Sequence, residues 1–135
     1  VALIRFPYVQ RRGNLEPIIP IGVKLGDRWE RIEVYVDSGA AYSVFQASVA
    51  RQVGFDFQTG RQVLLQVGSG TLIRIFLHDL EVQLGAERFI GQIGFSEQLG
   101  VKLNVLGKAG FFDRFRICFH EPQGFLTFEV FEPES

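Results

Sequence analysis

The segment Val34-Tyr35-Val36-Asp37-Ser38-Gly39-Ala40 sets a carboxylate at the end of an apolar, alternating stretch and follows it with a hydroxyl residue and a glycine. A carboxylate fixed at a strand end can take and return a proton, and a neighbouring glycine lets another backbone come close. Asp, Ser and Gly are also ordinary turn formers, and the tripeptide alone is more simply read as a strand ending in a turn. Other constellations are weaker. His78 and His120 have no Cys or His at metal-ligand spacing, so both read as structural and no metal is expected. No Gly-x-Ser-x-Gly elbow occurs, and Gly91-x-x-Gly94 lacks the dinucleotide signature, so no cofactor is expected either.

The elements that must hold Asp37 are strands. Ile19 to Leu25 and Trp29 to Val36 read as a hairpin turning at Gly26-Asp27, and Ile32, Val34 and Val36 alternate with Glu33 and Tyr35 up to Asp37. Ser43 is placed to cap a short helix running to about Val53, with Gly54 as its stop. Val63, Leu65 and Val67 lead into Gly68-Ser69-Gly70 and then Leu72 to Leu77, a second hairpin with a glycine-rich tip. Strands follow at Leu80 to Leu84 and Arg88 to Ile93, then at Val101 to Val105, which stops at Leu106-Gly107. A short helix or turn from Lys108 to Phe115 precedes strands at Arg116 to His120 and Phe125 to Phe131. The segment through Pro20 reads as a short strand and loop, with residues 1–18 as an N-terminal arm. Many short strands punctuated by glycine predict a single all-β domain over 1–135, a small closed barrel with one or two short helices.

Context outweighs the turn reading of Asp37. Ala40 directly follows the glycine, and Ser43-Val44 come three and four residues later. Asn104-Val105-Leu106-Gly107 places a glycine seventy residues after Asp37, and the Gly68-Ser69-Gly70 hairpin lies between them. In order and spacing the chain, from about Ile19 to Phe128, resembles the retropepsin-like aspartic peptidases, which combine an Asp-Ser/Thr-Gly-Ala signature, a flap hairpin and a later hydrophobic-hydrophobic-Gly element. It departs from the retroviral pattern at Ala41-Tyr42, where those enzymes carry acidic residues, and at Lys108-Ala109, where they carry Arg with Asp or Asn. With Leu106-Gly107, Gly110-Phe111-Phe112 and Phe115-Arg116, it is more similar to cellular or prokaryotic members.

The resemblance implies an acid-protease barrel with one lobe per chain and peptide hydrolysis without metal or covalent intermediate. That chemistry needs two carboxylates about 3 Å apart sharing one proton, one acting as base toward water and the other as acid. The chain has a single such motif: Asp27, Asp56, Asp79 and Asp113 are followed by Arg28, Phe57, Leu80 and Arg114. The implied partner is Asp37 of a second copy in a two-fold homodimer. The resemblance makes Asp37 catalytic and assigns Ser38 and Gly39 to active-site support. It gives Ala40, Val67, Gly68, Ser69 and Gly70 to binding an extended peptide or protein substrate, expected to be hydrophobic. The N-terminal arm and the Phe125 to Phe131 strand would brace the dimer. The alternative is a non-proteolytic dimerisation or peptide-binding module on the same fold.

Composition is compatible with this and removes other classes. The 14 basic and 15 acidic residues nearly cancel and Arg11-Arg12 is the only adjacent basic pair, so no nucleic-acid partner is expected and the pair reads as solvated loop charge. The 14 phenylalanines fall mostly within strands and read as core. Cys118, alone and in an apolar stretch, reads as an inert, partly buried thiol compatible with a reducing, cytoplasmic setting. No apolar run approaches the roughly 18 residues of a membrane span, and no signal-peptide pattern opens the chain, so no membrane contact is expected.

Overall fold

The computed structural model describes residues 3–99 and 103–131. Its centre is a barrel of β4 (Ile18–Leu25), β5 (Arg28–Val36), β10 (Asn104–Leu106), β6 (Val44–Gln46), β9 (Glu87–Ser96) and β8 (Leu72–Leu84), hydrogen-bonded in that order. The barrel closes where β4 meets β8, with Gly22 opposite Gln83 and Val23 opposite Val82. β7 (Arg61–Gln66) extends the sheet beyond β8 as the other arm of a hairpin. The all-β barrel expected from the strand pattern is the observed fold.

β5 follows its sequence alternation: Ile32, Val34 and Val36 are buried, while Glu33 and Tyr35 face outward. β8 is more instructive, because the sequence reads as two strands and the chain forms one of 13 residues. Its buried apolar positions are Ile73, Ile75 and Leu77, then Leu80, Val82 and Leu84. The parity changes at His78-Asp79, yet pairing with β9 runs unbroken through it, from Phe76↔Phe95 to Leu84↔Glu87. Successive strand residues face opposite sides, so one strand is burying first one face and then the other. The first set joins a small cluster with Val44, and the second joins the main core.

Ser43 does not cap a helix. The chain continues from it into β6, and α1 spans only Ala47–Arg51. Residues before β4 hold more structure than the single strand expected, in β1 (Leu3–Pro7) and the small ribbon of β2 (Val9–Arg11) and β3 (Asn14–Glu16). β1 pairs with β12 (Phe125–Val130) of its own chain, and β12 pairs with β11 (Phe115–His120), giving a separate three-stranded sheet. Arg11 is not simply solvated: it pairs with Glu16 at 3.3 Å in partly buried surroundings. Cys118 is exposed on β11 rather than partly buried, because the apolar neighbours that suggested burial point to the other side of the strand. Lys108–Phe112 is an irregular single turn with Gly110 at φ 85°. Of the strand expected from Val101, the first two residues lie outside the described residues, as do Val1 and Ala2 of the arm.

The phenylalanines build the core as expected. Phe95 is fully buried, with ring centroids 5.9 Å from Phe45, 5.8 Å from Phe55 and 6.1 Å from Phe57. Among the described residues no helix is long and apolar enough to cross a membrane. Truncating Phe95→Ala removes the ring on which these three converge and should cost about 3–5 kcal/mol in urea unfolding. A loss below about 1 kcal/mol would show that the barrel does not depend on this cluster.

Candidate active site

β5 and β10 run parallel, with Val36 opposite Leu106, and Asp37 is the next residue after β5 ends. Its N–H continues the ladder by donating to the Leu106 carbonyl at 2.9 Å. The chain then turns sharply, the Ala40 N–H donating to the Asp37 carbonyl at 3.2 Å. Gly39 N–H donates to Asp37 Oδ1 at 2.8 Å, which fixes the plane of the carboxylate. Asp37 is half-buried, and Ser38 and Gly39 are exposed at the apex of the turn.

The segment after β10 clamps this turn from beneath. Lys108 N–H donates to the Ala40 carbonyl at 2.9 Å and Ala109 N–H to the Ala41 carbonyl at 3.0 Å. Gly107 N–H donates to the hydroxyl of Ser43 at 2.9 Å, while the Ser43 carbonyl accepts from Gly94 at 2.8 Å. Ser43, only 1% exposed, thus joins three segments. Position 107 has no room for a side chain: a Cβ there would run into the Tyr42 carbonyl and lie 2.8 Å from the Ala40 carbonyl oxygen. Gly107 is at φ −114°, in ordinary extended backbone, so close approach alone demands glycine.

The hairpin of β7 and β8 is tied to the same loop through packing. Val63, Leu65 and Val67 pack on the cluster of Val44, Ile73, Ile75 and Leu77, and Tyr42 joins them from the loop. At the tip Gly70 N–H donates to the Val67 carbonyl at 2.8 Å and Val67 N–H to the Thr71 carbonyl at 2.9 Å. Gly70 has φ 86°, a left-handed conformation that glycine takes without strain. Gly68, Ser69 and Gly70 are exposed, and a Cβ on Gly68 would meet nothing within 4 Å.

The sequence did not mark Tyr35 beside Asp37, or Tyr8, which interacts with Tyr35. Tyr35 shares the outward face of β5 with Asp37, a placement that the alternation already contains. Burial, then the carboxylates of Glu16, Asp37 and Glu121, push its phenol above the usual tyrosine range, with Arg11 opposing. Tyr8, buried, donates to Glu121 at 2.6 Å, and burial followed by that bond raises its phenol strongly. Both therefore stay neutral through acid and neutral pH. His78 is structural, its Nε2 lying 2.6 Å from the Phe57 carbonyl oxygen. Among the described residues no group of three or more His, Cys, Asp or Glu could hold a metal ion.

The closed six-stranded barrel matches the retropepsin-like fold. The chain is similar to a retropepsin-like aspartic protease from Rickettsia conorii, at TM-score 0.66 and 18% identity over 94% of this chain and 98% of that one. It is also similar to EIAV protease complexed with the inhibitor HBY-793, at TM-score 0.52 and 16% identity over 74% of this chain and 88% of that one. No family model matches the sequence, and no curated protein matches it.

Replacing Ser43 by Ala strands the buried Gly107 N–H and should cost about 1–3 kcal/mol by urea unfolding, whereas Ser43→Thr, which keeps the hydroxyl, should cost less. Equal losses in the two would mean that the hydroxyl is not what holds the clamp. Gly107→Ala should destabilise by more than Ser43→Thr, because backbone atoms must move to admit its methyl group.

Proposed function

We propose that the chain is an aspartic endopeptidase, active as a homodimer in which each copy contributes Asp37. The observation that carries this reading is the Asp37 turn, fixed by backbone hydrogen bonds to the segment after β10 and bearing the only Asp-Ser-Gly of the chain. On this reading, Ser38 and Gly39 at the exposed apex meet their counterparts across a two-fold axis and bring the two carboxylates to about 3 Å, where they hold one proton between them. The ionised carboxylate takes a proton from a water that attacks the peptide carbonyl. Its protonated mate donates to the carbonyl oxygen, and the leaving nitrogen is protonated as the tetrahedral intermediate collapses.

Ala40 and the Val67-Gly68-Ser69-Gly70 tip are assigned to the substrate. An extended peptide lies between the Asp37 loop and the hairpin, and tip backbone groups bond it as an added strand. The hairpin then serves as a flap, closing over the peptide and excluding water. Bracing of the dimer by the N-terminal arm takes a particular form. β1 already pairs with β12, so a partner copy would use the outer edge of β1, where Leu3 is exposed. The similarity to the Rickettsia protein and to EIAV protease supports the reading at the level of fold.

Cleavage of a mixed peptide pool from pH 3 to 8 tests it. Wild type should cleave, with activity rising toward acid, and Asp37→Asn should lose more than about a hundredfold while remaining folded. Equal background cleavage in both proteins would favour the non-proteolytic binding module instead. Sedimentation adds a separate criterion, since a stable monomer that still cleaves would refute the shared site.

A further inference from the structure

β8 outruns its partner β9. The last pair of their ladder toward the hairpin is Phe76↔Phe95, so Leu72 to Ile75 are paired only to β7, on their other side. By the same register Arg74 would face residue 97 if β9 continued. It does not, because the chain bends after Ser96, whose hydroxyl, on a residue 2% exposed, accepts the Gln98 N–H at 2.9 Å. That bend returns the Gln98 side chain to β8, where its Oε1 accepts the Arg74 N–H at 3.1 Å. A side-chain amide thus supplies the acceptor that the missing strand would have offered.

The bend is anchored on both sides of Gln98. Glu97 is held by Arg51 of α1 at 2.8 Å and by Gln58 at 3.4 Å, and Leu99 packs on the apolar cluster beneath the hairpin. A two-stranded ribbon is marginal by itself, so its direction depends on what grips its root. Here the apolar cluster shared with Tyr42 and Val44 holds the ribbon from one face, and the Arg74 N–H to Gln98 hydrogen bond holds its free edge at the point where β8 leaves the barrel.

We infer that Gln98 is a positioning residue for the flap, its amide oxygen fixing the hairpin root through the Arg74 N–H so that the tip is already aimed over the Asp37 loop when peptide arrives. This rests on the peptidase reading. Without the acceptor the hairpin samples more directions, and binding must then supply the ordering that Gln98 now provides in advance. The effect falls on KM, while turnover of a peptide already bound is unchanged.

Two substitutions separate the acceptor from the bulk of the side chain. Gln98→Met keeps length and removes the acceptor; Gln98→Glu keeps an acceptor oxygen. In Gln98→Met the Arg74 amide should exchange with solvent about fivefold faster and KM should rise about fivefold, with kcat within about twofold of wild type. Gln98→Glu should restore both, and the amides of the barrel strands should be unaffected in either variant. Unchanged Arg74 exchange in Gln98→Met, or exchange as fast in Gln98→Glu as in Gln98→Met, would overturn the inference. A change in kcat with KM unaltered would overturn it as well. Failure of the peptidase reading looks different: wild type would not cleave at all, whereas Arg74 exchange would still report whether Gln98 holds the root.

Discussion

The carbonyl of Tyr42 rests against Gly107 with no space for a side chain between them, and the shape of the Asp37 turn depends on that approach. Because the two backbones lie so near, the residues after Gly107 reach the carbonyls of Ala40 and Ala41, and Ser43 reaches the Gly107 N–H. Backbone-to-backbone bonds of this kind are short and directional, and they leave little freedom to the segment they enclose. Asp37 thereby acquires a fixed position at the ends of two parallel strands, and the Gly39 N–H orients its carboxylate. Within the chain, the main-chain clamp from Lys108 and Ala109 holds the turn.

The same economy appears in β8, a single strand that serves two clusters. Near Leu84 it is a barrel stave with its even-numbered residues inward, and near Ile73 it is half of a projecting hairpin with its odd-numbered residues covered. The cluster under the hairpin includes Tyr42 and Val44, so the hairpin and the Asp37 turn share an apolar floor. A displacement of one is felt by the other through packing, since close-packed side chains transmit strain. That shared packing, with the Gln98 hydrogen bond at the hairpin root, ties the hairpin and the Asp37 turn to one frame.

The strand that ends at Asp37 and the turn after it were legible because local signals agreed: Ile32, Val34 and Val36 alternate cleanly, and Ser38-Gly39 favours a turn. The hairpin turn at Gly26-Asp27 was legible for the same reason. What failed were readings whose answer lay in distant partners. Ser43 has the chemistry of a helix cap, and only the arrival of Gly107, far along the chain, makes its hydroxyl a clamp acceptor. The change of phase at His78-Asp79 looks like a strand end because alternation reports burial rather than backbone continuity. Gln98 carries no signal at all in sequence, since its role follows from where β9 stops relative to β8. Tyr35 is intermediate: alternation put it beside Asp37, but nothing local showed that carboxylates would gather around it.

The central claim, that a complete site needs Asp37 from two copies, is tested most directly by mixing chains. Wild type and Asp37→Asn would be co-refolded at equal concentrations and peptide cleavage measured at constant total chain. If both carboxylates are required and pairing is random, only pairs of two wild-type chains act, and activity should fall to about one quarter of the all-wild-type value. A fall to only one half, tracking the number of wild-type chains, would mean that each chain works alone and would contradict the account.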